Sequence, residues 1–180
     1  MHQYRKSDLS VAVNAIDHVL GSLHATVAMV EYGDFECPSC KQAAPAVKLL
    51  LERFAGRIRF VYRHFPQEEV HPHALHSAQA AETAGGQGKF WQMHDLLFDN
   101  QRHLKLPQLR SYAERLELDL ARYDFEMDDE VYLQRVREQV DSGLQSGVRA
   151  TPTFFINGIL RDTSYDLQSL VEGVEAALHK

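Results

Sequence analysis

Both cysteines of this chain lie in one run, Cys37-Pro38-Ser39-Cys40, between a short apolar stretch and an amphipathic helical pattern. That placement constrains the fold: the apolar segment has to end where a helix begins, with the first cysteine at the helix N-terminus. There, unsatisfied backbone N–H groups and the positive end of the helix dipole stabilise a thiolate, and a second thiol one turn further on can resolve a mixed disulfide. A secreted disulfide scaffold would use several pairs, so one closely spaced pair points to chemistry or metal rather than stapling.

The bulk composition excludes several classes. With 180 residues, 44% hydrophobic content and a formal net charge of −6, the expectation is a single soluble domain spanning 1–180. The 19 Lys and Arg residues are scattered, which argues against a nucleic-acid surface. Arg5 and Lys6 precede a stretch broken by Asn14, Asp17 and His18, so no secretory apolar core follows, and no run reaches membrane-spanning length.

Along the chain, Ala25 to Tyr32 predicts a buried strand ending at Gly33, with Glu31 as its one misfit. Val47, Leu50, Leu51 and Phe54 recur at helical spacing up to Gly56, and Pro45 within that pattern is expected to kink the helix. Arg57 to His64 alternates, with Ile58, Phe60 and Tyr62 on one face and Arg57, Arg59 and Arg63 on the other, which predicts a second strand. From Pro66 to about Gly147 the pattern is helical: Ala74, Ala78 and Ala81; a break at Gly85-Gly86-Gln87-Gly88; Phe90, Met93 and Leu97; a first-turn Pro107; then Leu133, Val136, Val140 and Leu144. This block reads as an insertion at about 67–146. Strand character returns at Thr153 to Ile156, with Asn157-Gly158 turning the chain into a hairpin through Ile159 and Leu160. A last helix presents Leu167, Leu170, Val171, Val174 and Leu178 on one face.

Placed on these elements, the motifs resemble the DsbA-like thiol-disulfide oxidoreductases of the thioredoxin-fold superfamily. The run from Val30 to Lys41 resembles the family's active-site segment, with an acid six residues before the first cysteine and a proline eight after it. Gly147 to Gly158, containing Thr151-Pro152, resembles the loop that carries the family's cis-proline. Arg63-His64-Phe65-Pro66, His71-Pro72-His73-Ala74 and Gln87-Gly88-Lys89-Phe90-Trp91 resemble the start and middle of its helical insertion. The resemblance implies an α/β thioredoxin-like fold, a central mixed sheet flanked by helices, and a bacterial protein.

It also implies roles. Cys37 is the expected nucleophile and Cys40 the buried resolving thiol. Glu31 is the expected proton acceptor for Cys40, since a carboxylate within a strand is costly to bury and a raised pKa would suit that task; the opposing reading sends its side chain to solvent at a sheet edge. Pro38 and Ser39 tune the site without carrying charge. Without the histidine that the strongly oxidising members place there, and with Asp34 and Glu36 repelling a thiolate, the Cys37 pKa is expected in the upper part of the range of about 3.5 to 7.5, partly offset by Lys41. A cis Thr151-Pro152 bond facing Cys37 would let the Thr151 backbone pair with an extended substrate segment.

Threonine before that proline leaves oxidase and isomerase open, while the short stretch ahead of the first strand is too small for the dimerisation domain of the isomerases. Val11 to His18 is expected to add one edge strand instead, and the protein to be a monomer. Protein thiols and disulfides are the expected substrates, with no cofactor beyond the redox-active disulfide; glutathione or a protein redox partner would regenerate it. The cytoplasm is the expected compartment, or an exported one if a leader has been trimmed. Two further readings stay open: a cytosolic glutathione-linked disulfide reductase, and a non-catalytic module binding metal through the Cys pair. A metal site among His64, His71, His73, His76 and His94 is not expected, because their spacing fits no single helical face. Phe90, Trp91 and Phe98 are expected in a core rather than on a peptide-binding surface.

Overall fold

A short edge strand, a β-α-β unit, a run of helices and a closing hairpin with its helix follow one another along the chain. The computed structural model describes residues 8–161 and 168–179. Its elements are β1 (His18–Gly21), β2 (Val27–Gly33), α1 (Pro38–Arg53), β3 (Ile58–His64), α2 (Ala74–Gly86), α3 (Phe90–Asp99), α4 (Leu106–Arg115), α5 (Leu120–Asp128), α6 (Leu133–Gln145), β4 (Thr153–Ile156), β5 (Ile159–Arg161) and α7 (Gln168–Leu178). The strands form one mixed sheet in the order β1-β3-β2-β4-β5, the arrangement of a thioredoxin-like fold. Leu167 of the expected final stripe, and Arg5 and Lys6 of the N-terminal stretch, lie outside the described residues.

The chain divides into two compact units, one made of residues 1–32, 42–63 and 141–180, the other of 33–41 and 64–140. In the first, β2 runs between β3 and β4, and residues of both its faces are buried: Val27, Met29, Val30 and Tyr32. β3 departs from one-sided alternation. Ile58, Phe60 and Tyr62 are buried as expected, but so are Val61 and Arg63, so both faces of this strand are covered. Arg63 meets that cost with a bidentate bond to Asp17, at 2.9 Å from both Nε and Nη2, and further bonds to the carbonyls of Val11 and Ala12 and to the Tyr32 hydroxyl. Burial pulls the guanidinium pKa down, but the bonds to Asp17 and Tyr32 outweigh it and hold it above its ordinary value.

Those contacts correct the expected N-terminal strand. The segment from Val11 to Asp17 caps Arg63 instead of pairing with the sheet, and the edge strand starts only at His18, antiparallel to β3 with His18 opposite Tyr62. The hairpin turns at Asn157 (φ 48°) and Gly158 (φ 78°), the two positive φ angles of a type I′ turn. Leu170 and Val174 of α7 are fully buried. A second correction concerns the end of α6. Leu144 is 47% exposed, whereas Ser142 and Ser146 are buried. The Ser142 hydroxyl lies 2.8 Å from that of Tyr32, and Ser146 bonds Ser10, so polar partners rather than an apolar stripe hold this turn.

In the second unit α2 to α6 follow one another, with Pro107 in the first turn of α4. Asp119 caps α5 by accepting from the Arg122 N–H. Phe90 and Phe98 are buried with Met93 and Leu97, as expected of a core, whereas Trp91 is only half-buried. Among the described residues no helix is long and apolar enough to cross a membrane.

Candidate redox site

The second unit contains the whole loop from Asp34 to Cys40. α1 begins at Pro38, which puts Cys37 at the cap and Cys40 in the first turn. Proline fits the first helical position because its missing N–H would have no intrahelical partner there. Pro38 and Ser39 are exposed, Cys37 is 6% exposed and Cys40 is fully buried. The Cys37 N–H donates to the Asp34 carbonyl at 3.1 Å, and the Asp34 N–H donates to Cys40 Sγ at 3.5 Å. A sulfur that accepts a backbone N–H is better able to hold negative charge.

Asp34 has partners that no local pattern shows. Expected to repel the thiolate, it is 2% exposed and bonded through both oxygens: Oδ1 accepts the Glu36 N–H at 2.8 Å, while Oδ2 accepts the Gln67 N–H at 2.9 Å and lies 2.8 Å from His71 Nδ1. Glu36 Oε2 likewise accepts the His73 N–H at 2.7 Å. Both carboxylates face donors, which ties the loop to the 67–73 segment. Lys41 turns its ammonium toward the Asp99 carbonyl, 3.5 Å away. On the other flank, Gln101 Nε2 donates to the carbonyls of Phe35 and Cys37 at 2.9 and 2.8 Å.

Phe35 anchors the loop in an aromatic cluster, its ring centroid 5.0 Å from Phe98 and 5.6 Å from His94. His94 is also edge-on to Trp91 and bonded through Nδ1 to Asp95, but burial outweighs that carboxylate and pulls the imidazole pKa below 6.5. The histidines have separate partners: His64 Nε2 lies 2.9 Å from Glu82, which also accepts from Arg135, while His71 meets Asp34 and His94 meets Asp95. Among the described residues no group of three such side chains could hold a metal ion.

The remaining candidates belong to the first unit. Glu31 is 2% exposed in the middle of β2, opposite Phe154 of β4, which removes the reading that sends it to solvent at a sheet edge. Thr151 is buried, and the Thr151–Pro152 bond is cis. One residue on, the Thr153 hydroxyl donates to the Ala150 carbonyl at 2.6 Å as β4 begins.

No sequence signal pointed to Gln101, which lies in a turn with no motif around it. His71 was visible as part of the His71-Pro72-His73-Ala74 run and of the histidine set weighed for metal, but not as a partner of Asp34. Its tie to Asp34 spans 37 positions, beyond the reach of any local pattern.

Known proteins place this geometry. The antiporter NhaA 1 of Salinispora arenicola is 49% identical over 171 residues, which covers 94% of this chain but only 26% of the antiporter, so the chain spans about a quarter of that relative's length. The solved structure of oxidised BdbD from Bacillus subtilis superposes with a TM-score of 0.82 at 24% identity, covering 90% of this chain and 92% of that one. That of alpha-DsbA1 from Wolbachia pipientis gives 0.82 at 17% identity, covering 97% and 96%. The family model described as thioredoxin matches residues 14–176, and with a fold shared with DsbA-like structures over nine-tenths of its length, the chain belongs to the thioredoxin family.

Proposed function

We propose that this chain is a thiol-disulfide oxidoreductase that exchanges disulfides with protein substrates through Cys37 and Cys40. The observation that carries the reading is the pair's position: Cys37 at the cap of α1, and Cys40 buried one turn in with its sulfur accepting a backbone N–H.

In the reducing direction, the Cys37 thiolate attacks one sulfur of a substrate disulfide, and the other substrate sulfur leaves as a thiolate. The Cys40 thiolate then attacks Cys37 Sγ and releases the second substrate sulfur. The substrate gains two electrons and, at neutral pH, two protons; the pair loses both. Oxidation of a substrate dithiol runs these steps in reverse. Glu31 is proposed as proton acceptor for Cys40, a part its burial in a strand supports. Thr151 and Pro152 are proposed to receive the substrate backbone, and Pro38 and Ser39 to tune the pair. No cofactor is required; glutathione or a protein partner would restore the starting redox state.

Equilibration in glutathione buffers, with alkylation and mass readout, tests the reading. The wild type should form the Cys37–Cys40 disulfide reversibly, Cys37→Ser should abolish exchange, and Cys40→Ser should accumulate mixed disulfides. A pair that never oxidises, or activity that survives Cys37→Ser, refutes it. A potential above about −200 mV identifies an oxidase or isomerase, and one below about −250 mV a reductase.

A second reading rests on the match to the Salinispora antiporter: the same redox module acts on the thiols of a membrane transporter. Proteins trapped by the Cys40→Ser variant in cells distinguish the two, since a transporter partner would be recovered from the membrane fraction and soluble substrates would not.

A further inference from the structure

One side chain from outside the Cys-x-x-Cys motif grips the backbone around the nucleophile. Gln101 follows α3, and its single NH2 group donates to the carbonyls of Phe35 and Cys37. These two peptide groups bracket Glu36 and Cys37. The Cys37 carbonyl also accepts the Lys41 N–H at 3.2 Å, in the first turn of α1, so Gln101 supplies a second donor to that oxygen. Because the next residue is Pro38, the peptide group after Cys37 has no N–H, and its carbonyl is its one polar handle. The opposite flank of the loop is held by bonds to the Asp34 and Glu36 carboxylates. Gln101 is the neutral donor that closes the bracket.

We propose that Gln101 is a positioning residue for the redox pair, its NH2 fixing the Phe35–Cys37 backbone so that the Cys37 sulfur is held ready for Cys40. The proposal rests on the exchange reading above. Two physical effects follow. Closing a Cys-x-x-Cys disulfide requires the dithiol to surrender backbone freedom, and a segment already held loses less, which raises the effective concentration of one thiol toward the other. A carbonyl oxygen beside a sulfur also disfavours its anion, and a donor on that oxygen draws the partial charge away and brings its own positive end near. Removing the donor weakens both effects: a looser segment makes the disulfide easier to reduce, whereas a thiolate that forms less readily destabilises the dithiol and opposes this, so the first effect is read below the Cys37 pKa, where the thiolate is not populated, and the second from the titration of Cys37 itself.

Two substitutions separate donation from space-filling. Gln101→Met keeps the length and bulk without a donor, and Gln101→Glu keeps the shape but sets a carboxylate against two carbonyl oxygens. The measurements are the equilibrium constant with glutathione at a pH below the Cys37 pKa, the pH dependence of Cys37 alkylation in a Cys40→Ser background, and the melting temperature. Gln101→Met should lower the constant for forming the pair's disulfide about tenfold, equivalent to about 30 mV, and move the alkylation profile to higher pH. Gln101→Glu should move the alkylation profile further in the same direction. Wild-type redox values in Gln101→Met overturn the proposal, including the case where only the melting temperature falls, since that is the signature of a purely structural residue. A wild-type protein that forms no reversible disulfide refutes the exchange reading itself, and the proposal falls with it.

Discussion

Replacing Arg63 by Met tests whether the polar network of the first unit carries as much stability as its burial implies. The side chains of Arg63 and Asp17 are 3% and 4% exposed, and the guanidinium makes five bonds of 2.8 to 3.2 Å. Methionine fills much of the space but leaves a buried carboxylate without its cation, a loss of about 3–5 kcal/mol. Val11 and Ala12 are exposed, so water can replace the donor to their carbonyls, and they add little. The Tyr32 hydroxyl keeps its contact with Ser142 at 2.8 Å. The expected cost is therefore about 4 kcal/mol, or a melting temperature lower by about 8–16 °C for a chain of this size. Urea denaturation followed by far-UV circular dichroism measures it, with an unchanged m-value expected. The double variant Arg63→Met with Asp17→Leu should recover about 2 kcal/mol, because a buried pair replaced by apolar groups costs far less than one broken. Arg63→Lys should rescue little, since one ammonium cannot reproduce the fork. A single variant within about 1 kcal/mol of wild type, or a double variant no better than the single, refutes the reasoning.

Other expectations concern single features of the two units. Asp34→Ala removes the acceptor of the Glu36 and Gln67 N–H groups and should cost about 3 kcal/mol by urea titration; a loss below about 1 kcal/mol would mean the loop is held elsewhere. His94 titrates below 6.5 because of its burial, so between 6.5 and its folded pKa the unfolded chain binds the extra proton. Its contribution is full above pH 6.5 and is lost as the pH falls, and His94→Phe should flatten that part of the stability profile; an unchanged slope contradicts the assignment. Gly21 has φ +91°, and a Cβ there would lie 2.7 Å from the Ile58 carbonyl oxygen. Gly21→Ala should therefore destabilise by about 2 kcal/mol or more, read as a lowered melting temperature, and a neutral result would show that β1 shifts freely.

The sequence by itself determined the elements whose signals are local. The strand before Gly33, the Cys-x-x-Cys at a helix start, the Asn157-Gly158 hairpin and the first-turn proline of α4 each depend on neighbours within one element, where backbone sterics and periodicity act. Only the tertiary structure decided the rest. Arg63 follows the polar alternation of its strand, yet it is buried, because an N-terminal segment 46 positions away lies over it and supplies Asp17. The donors that meet Asp34 and Glu36 come from the 67–73 segment, and Gln101 carried no pattern at all. Electrostatics and hydrogen-bond satisfaction depend on distances in space, which a linear spacing cannot encode once the partners lie on different elements.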